Sequence, residues 1–334
     1  MRARELGIAI GKGSTGPRNA ITDVDGVLVG HCTLIEDDAI RTGVTVLVPP
    51  EVPLFAGCHR LNGNGELTGL EWVRESGLLT TPIGITNTFS VGVVRDAIAA
   101  RSADDDAWSL PVVGETYDGF LNDIRAQRVT AAHVESAFAA ASAEVAEGNV
   151  GGGTGMICHE FKGGIGTASR AVGGHVVGVL VQANYGRRSR FRVDGVPVGE
   201  LIGDRVPTPS RAGETGSIIG VVATDAPLLP HQCDRLAQRV GLGIAQVGGT
   251  AAPTSGDLFF AFSTGNRGLA PETGELTLRM LSDGEISPFY DAVIDATEEA
   301  IVNALLAAET MTGRDGNTAY ALEPDLLAEL LRRS

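Results

Sequence analysis

The sequence predicts one domain of mixed α/β architecture, with strands and helices interleaved along the whole chain. Three observations carry this. Short apolar, β-branched runs are bounded by Gly, Pro, Asn or Asp, the punctuation of buried strands. Longer stretches with apolar residues three and four apart alternate with them. Finally, 45 glycines are spread over the 334 residues while only 5% of residues are aromatic, a composition suited to tight turns and close backbone approaches. No fixed-period repeat or low-complexity tract divides the chain, so residues 1–334 are expected to form a single domain.

In chain order, Gly26 to Val29, Val44 to Val48 and Ile83 to Asn87 read as strands, with helical spacing at Leu67 to Arg74 and Ser90 to Ala100. A helix is expected over Thr130 to Ala146 and a strand over His175 to Ala183. Phe191 to Glu214 is the least regular stretch, with Asp, Gly and Pro among isolated apolar residues. On its own it reads as a surface connection. The strand Ser217 to Thr224 then begins abruptly. The clearest helix runs from Leu228 to Val247: Leu229, Cys233, Leu236, Val240 and Ile244 form one apolar stripe, and Asp225 and Pro227 supply start signals. A strand at Leu258 to Phe262 and helices at Asp291 to Ala308 and Leu322 to Leu331 complete the set. In the last helix Leu322, Leu326, Leu327, Leu330 and Leu331 make a stripe broad enough to cover the domain's own sheet or a neighbouring copy.

Charge and motif content exclude several functions. With 26 Lys and Arg against 41 Asp and Glu the net charge is −15, which opposes general attraction to nucleic acid or anionic membrane. The first apolar stretch is too short for a signal peptide and the longest runs are strand-length, so neither export nor membrane insertion is expected. Four widely spaced cysteines without a C-x-x-C pair fit a reducing, cytoplasmic location. In GKGST at Gly11 to Thr15 the lysine is followed by Gly13, so no Walker loop forms. Gly151 to Gly155 and Gly63-Asn64-Gly65 do not complete G-x-G-x-x-G. The adjacent pairs His31-Cys32, Cys58-His59 and Cys158-His159 lack metal-ligand spacing. No G-x-S-x-G elbow surrounds Ser217.

The signal that holds is GETGSIIGVVATDAPLLPHQ, residues 213 to 232, where an irregular loop ends at Gly216 and an apolar strand starts at Ser217. If the chain is cut between them, Ser217 carries both a hydroxyl and an α-amine of pKa about 7.7 to 8.0, combining nucleophile and base. Glycine at 216 leaves its carbonyl unhindered and permits strained dihedrals, so the Ser217 hydroxyl can attack it. Taken alone, a serine opening a strand is also explained by hydrogen bonding at the element's end.

With NAITDVDGVLVGH (19 to 31), GETYDGFLND (114 to 123), VLVQANYG (179 to 186) and TSGDLFFAFSTGN (254 to 266), this run resembles the self-processing L-aminopeptidase/D-amidase/D-esterase family that includes the β-peptidyl aminopeptidases. The resemblance implies a four-layer αββα sandwich of N-terminal-nucleophile-hydrolase type, shared with ornithine acetyltransferases. It also implies cleavage into fragments 1–216 and 217–334. Ser217 matches the nucleophile, and Ser255 and Asp257 match the serine and acid that orient it, although some relatives have glutamate at the latter position. Asn184 matches the oxyanion donor and Tyr117 a tyrosine at the same centre. Each segment alone reads as a turn or core edge; together they point to one site.

The implied reaction is acyl transfer to water from short peptides, amides or esters with a free amino group, through an acyl-enzyme and without metal or organic cofactor. Glu115 and Asp118, flanking Tyr117, are candidates for binding the substrate's amine. A homo-oligomer is implied, a tetramer of fragment pairs being one arrangement. Preference among L-, D- and β-amino acids stays open. Two alternatives also stay open: an acetyltransferase on the same scaffold, and an uncleaved binding protein without enzymatic activity.

Overall fold

A computed structural model describes residues 1–101, 108–209, 216–270 and 274–333. Strands β1 (Leu28–Glu36) and β2 (Ile40–Val48) pair antiparallel, Leu28 opposite Val48 and Glu36 opposite Ile40. They are followed by β3 (Leu54–Gly63), α1 (Leu70–Ser76), β4 (Leu78–Leu79), β5 (Ile83–Asn87), α2 (Val91–Ala100), β6 (Val112–Thr116) and α3 (Ala131–Ala139). A small hairpin, β7 (Ile157–Cys158) and β8 (Phe161–Lys162), leads into the long strands β9 (Gly164–Val172) and β10 (His175–Asn184). After α4 (Val198–Ile202) come β11 (Ser217–Thr224), α5 (Pro230–Gln246), β12 (Gly256–Ser263) and α6 (Ser287–Leu306). The short pair β13 (Met311–Thr312) and β14 (Thr318–Ala319) and the helix α7 (Pro324–Arg333) end the chain.

Two sheets result, one in the order β1-β2-β5-β6 and one in the order β4-β3-β12-β11-β10-β9. Alternation along β11 shows how they stack. Ile219, Val221 and Ala223 pack between the sheets with Leu47, Ile83, Ile85 and Leu180. Ile218 and Val222 point the other way, into a core with Leu236, Val240 and Val293 from α5 and α6. A strand covered on both faces reads as a continuous apolar run, which is why this one stands out in the sequence. Helices α2 and α3 cover the smaller sheet through Val44, Val46, Val94, Ile98, Val134 and Ala137. The architecture is therefore helix, sheet, sheet, helix.

Several elements differ from the sequence reading. Strands β3, β6 and β9 are not expected from the pattern; β9 carries Gly, Thr, Ser and Arg, and Arg170 is buried because it pairs with Glu299 of α6 at 2.7 Å. Helix α3 stops at Ala139, not Ala146, because Ser142 exchanges backbone hydrogen bonds with Val29 of β1 at 3.0 Å each way. The stretch after Phe191 is no mere surface connection: it holds α4 and buries Phe191, Val193, Val198, Ile202 and Val206 in the main core. Its part from 210 to 214 lies outside the described residues. In and beside α7, Leu322, Leu327 and Leu330 are buried in the chain's own core and Leu326 and Leu331 pack against it, so the stripe docks within the molecule. Among the described residues no helix is long and apolar enough to cross a membrane.

Candidate active site

The end of β10 and the start of β11 lie side by side, with Asn184 opposite Ser217. Period-two alternation puts Ser217 on the face of Ile219 and Val221, and Asn184 on the face of Leu180, so both occupy one end of the layer between the sheets. Ser217 is 5% exposed, and its Oγ accepts a hydrogen bond from the backbone N–H of Gly256 at 3.0 Å. It opens onto a cavity of about 520 Å³ whose walls include Gly216, Thr254, Asn64, Gly65, Glu66, Thr88, Glu115 and Tyr117.

Gly216 sits where the backbone approaches the end of β10 closely. A Cβ at this position would lie 2.1 Å from the carbonyl oxygen of Asn184 and 2.9 Å from Cα of Tyr185.

The Asn184 side chain is held at both ends. Its Oδ1 accepts from the N–H of Ile157 at 2.8 Å, and its Nδ2 donates to the carbonyl of Tyr117 at 2.9 Å. One N–H of the amide is left for a further acceptor. Strands β11 and β12 run parallel with Ile218 beside Asp257, which brings the segment 255–257 against Ser217. The Ser255 hydroxyl donates to Oδ1 of Asp257 at 2.6 Å. Burial raises the Asp257 carboxyl from its ordinary 3.8 to about 6, while the Ser255 hydroxyl and the Ile218 backbone pull it back.

Glu115 and Asp118 part company. Glu115 lines the cavity; its Oε1 accepts from the N–H of Glu66 at 3.0 Å and its Oε2 from the Thr88 hydroxyl. Burial raises its pKa, and these two hydrogen bonds oppose the shift. Asp118 is not in the cavity wall. Leaving β6, the chain turns it inward beside Asn122, whose Nδ2 donates to its Oδ1 at 3.0 Å, with Thr42 and Asn87 also beside the carboxyl. The expectation that Asp118 faces a substrate amine is corrected on this geometry. Its carboxyl is raised to about 7 by burial. Tyr117 is 46% exposed in the wall, its ring against Gly119.

The sequence reading misses Asn64, Gly65, Glu66, Thr88 and Thr254. Gly63-Asn64-Gly65 suggests only a failed phosphate loop when read from sequence. Its glycine has another use: a Cβ on Gly65 would lie 3.1 Å from both Oε1 of Glu115 and Cα of Gly256, so glycine lets this loop pass between them.

Residues 19–319 match the model of Peptidase family S58. Beta-peptidyl aminopeptidase BapA of Sphingosinicella microcystinivorans is 44% identical over 365 residues, spanning 99% of this chain and 92% of that protein. Among solved structures, a beta-aminopeptidase of Burkholderia sp. superposes with a TM-score of 0.95 at 54% identity, covering 100% of this chain and 99% of its own. The L-aminopeptidase D-Ala-esterase/amidase of Ochrobactrum anthropi superposes with a TM-score of 0.91 at 42% identity, covering 99% of this chain and 98% of its own. It is described as a prototype for the serine aminopeptidases and a variant of the Ntn hydrolase fold.

Proposed function

Because the chain belongs to Peptidase family S58 and is a hydrolase of the serine aminopeptidase type, we propose that it matures by breaking the Gly216–Ser217 bond and then acts through the new amino-terminal serine. The observation that carries this is the position of Ser217: first residue of a buried strand, in the wall of a cavity, preceded by a glycine packed against a strand end. Attack of Oγ on the Gly216 carbonyl followed by hydrolysis gives fragments of 216 and 118 residues.

In the mature enzyme the Ser217 α-amine takes the hydroxyl proton as Oγ attacks the substrate carbonyl. The remaining Nδ2–H of Asn184 is the donor for the oxyanion, already oriented by Ile157 and Tyr117. Ser255 and Asp257 hold the segment whose Gly256 N–H touches Oγ. Glu115, buried in the wall with both oxygens fixed, receives the substrate's free ammonium. Water then releases the acyl group. Substrates are short peptides, amides or esters with a free amino terminus, β-amino-acid derivatives included because the Sphingosinicella and Burkholderia relatives carry that name.

A denaturing gel with amino-terminal sequencing tests the reading. The purified protein gives two fragments, the smaller beginning Ser-Ile-Ile-Gly, and Ser217→Ala stays a single chain without activity. A Ser217→Ala chain that still splits there refutes the mechanism. Membership in a peptidase family favours hydrolysis over transfer to an amine acceptor, and product ratios with added amine measure that directly.

A further inference from the structure

Beyond Gly65 and Glu66, which stand in the walls of both, a second cavity of about 430 Å³ adjoins the one that holds Ser217. Nothing in the chemistry above uses it. Three guanidinium groups, Arg60, Arg74 and Arg95, stand in its walls with two carboxylates, Glu66 and Glu71, over an apolar lining that includes Leu70 and Leu258. The cations are not equivalent. Arg74 is engaged by Glu71 in its own helix turn, and Arg95 pairs with the neighbouring Asp96 at 2.9 Å. Arg60, at the end of β3, has no side-chain hydrogen bond or ion pair among the described residues. With Arg74 paired to Glu71 and Arg95 to Asp96, Arg60 is the cation of this lining without a partner among the described residues, in a cleft with apolar walls. An unpartnered guanidinium in a cavity wall presents the planar fork that fits a carboxylate.

We propose that this cavity is a carboxylate-binding extension of the active site, with Arg60 as its principal ligand, which makes the enzyme prefer short substrates bearing one carboxylate beyond the scissile bond or on the amino-terminal side chain. The inference rests on the aminopeptidase reading and adds to it. An amino-terminal ammonium at Glu115 and a carboxylate at Arg60 give the substrate two charged anchors on either side of the Gly65–Glu66 segment. Longer peptides, whose terminal carboxylate lies out of reach, lose the second anchor.

The test compares kcat/KM within two matched pairs. Dialanine is set against its carboxy-terminal amide, and glutamyl p-nitroanilide against glutaminyl p-nitroanilide, for the processed wild type, Arg60→Gln and Arg60→Lys. In the wild type the charged member of at least one pair is favoured about three- to tenfold, as suits a partly exposed charge-assisted contact. Arg60→Gln brings that ratio near one, and Arg60→Lys restores part of it. The responding pair identifies the source of the carboxylate. A wild type that cleaves charged and neutral members equally in both pairs, or a preference that survives Arg60→Gln, overturns this proposal alone. A wild type that cleaves β-alanyl p-nitroanilide but none of the four overturns this proposal alone, and one that cleaves none of the five overturns the aminopeptidase reading and this one with it.

Discussion

Replacing Gly216 by alanine is expected to separate the proposed processing from catalysis. The added Cβ would lie 2.1 Å from the Asn184 carbonyl oxygen and 2.9 Å from Cα of Tyr185, whereas ordinary contact begins near 3.4 Å. The difference, 3.4 − 2.1 = 1.3 Å, must be supplied by movement. Asn184 cannot readily give way, because its strand is paired on both sides, with β9 and with β11. The scissile segment moves instead, carrying its carbonyl away from Ser217. A misplacement of about 1 Å at a reacting centre costs on the order of 10²-fold in rate. Gly216→Ala is therefore expected to fold but to split at least tens of times more slowly, followed on denaturing gels as loss of the 34.6 kDa chain. Once the chain is cut, the substituted residue is a free chain end able to swing aside, so activity per cleaved molecule returns towards that of the wild type. A Gly216→Ala chain that matures at the normal rate would refute the close-approach argument.

Three further outcomes follow from the site. Asn184→Ala, in the fraction that matures, should lose about 10²–10³ in kcat with a small change in KM; undiminished kcat removes the oxyanion role. If Asp257 acts as a carboxylate, kcat should fall as pH drops through about 6, where its burial places the titration, and Asp257→Asn should lack that limb; an unchanged profile in the variant assigns the limb elsewhere. Asp118 is raised from 3.8 to about 7, so the fold favours its neutral form and this contribution to stability, complete below about pH 4, is lost as pH rises towards and through 7. Asp118→Asn should accordingly raise Tm at about pH 8, by an upper bound of about 4 kcal/mol in free energy, and leave it unchanged near pH 4; equal effects at both pH values contradict the burial argument.

What can be read from the sequence divides along physical lines. The strand at Ser217 and the helix beginning near Leu228 are legible because their burial is complete and regular: both faces of one and a single stripe of the other exclude polar side chains. Strand β9 is not, because its polar residues are satisfied by partners elsewhere in the chain. Thr167 donates to the carbonyl of Val179 on the next strand, while Ser169 donates to Asp23 and Arg170 to Glu299, and no local pattern announces these last two partners, each more than a hundred residues away. The site shows the same division. Gly216, Ser217, Asn184, Ser255 and Asp257 are brought together by strand register, a consequence of the alternation that marks the strands. Asp118 is misplaced by the sequence reading because closeness to Tyr117 along the chain does not give a shared direction. The turn after β6 sends the two side chains apart, one to the cavity wall and one to Asn122.

The two sheets contribute different halves of the site, which makes their mutual position part of the chemistry. Ser217, Asn184 and Asp257 belong to the six-stranded sheet, while Glu115 and Tyr117 lie at and beyond the end of β6 in the four-stranded one. Apolar packing between sheets is non-directional and by itself permits sliding. A polar tie fixes the register: Gln182, two residues before Asn184 on the same face, crosses the layer and donates from Nε2 to the carbonyl of Thr86 and the hydroxyl of Thr116, each at 2.9 Å. Both acceptors lie beside the residues that matter, Thr86 two before Thr88 and Thr116 between Glu115 and Tyr117. The Asn184 amide adds a second tie to the Tyr117 carbonyl. Ser217 and Glu115, the proposed nucleophile and amine-binding carboxylate, thus lie close to directional bonds between the sheets, and the core supplies the rigidity behind them.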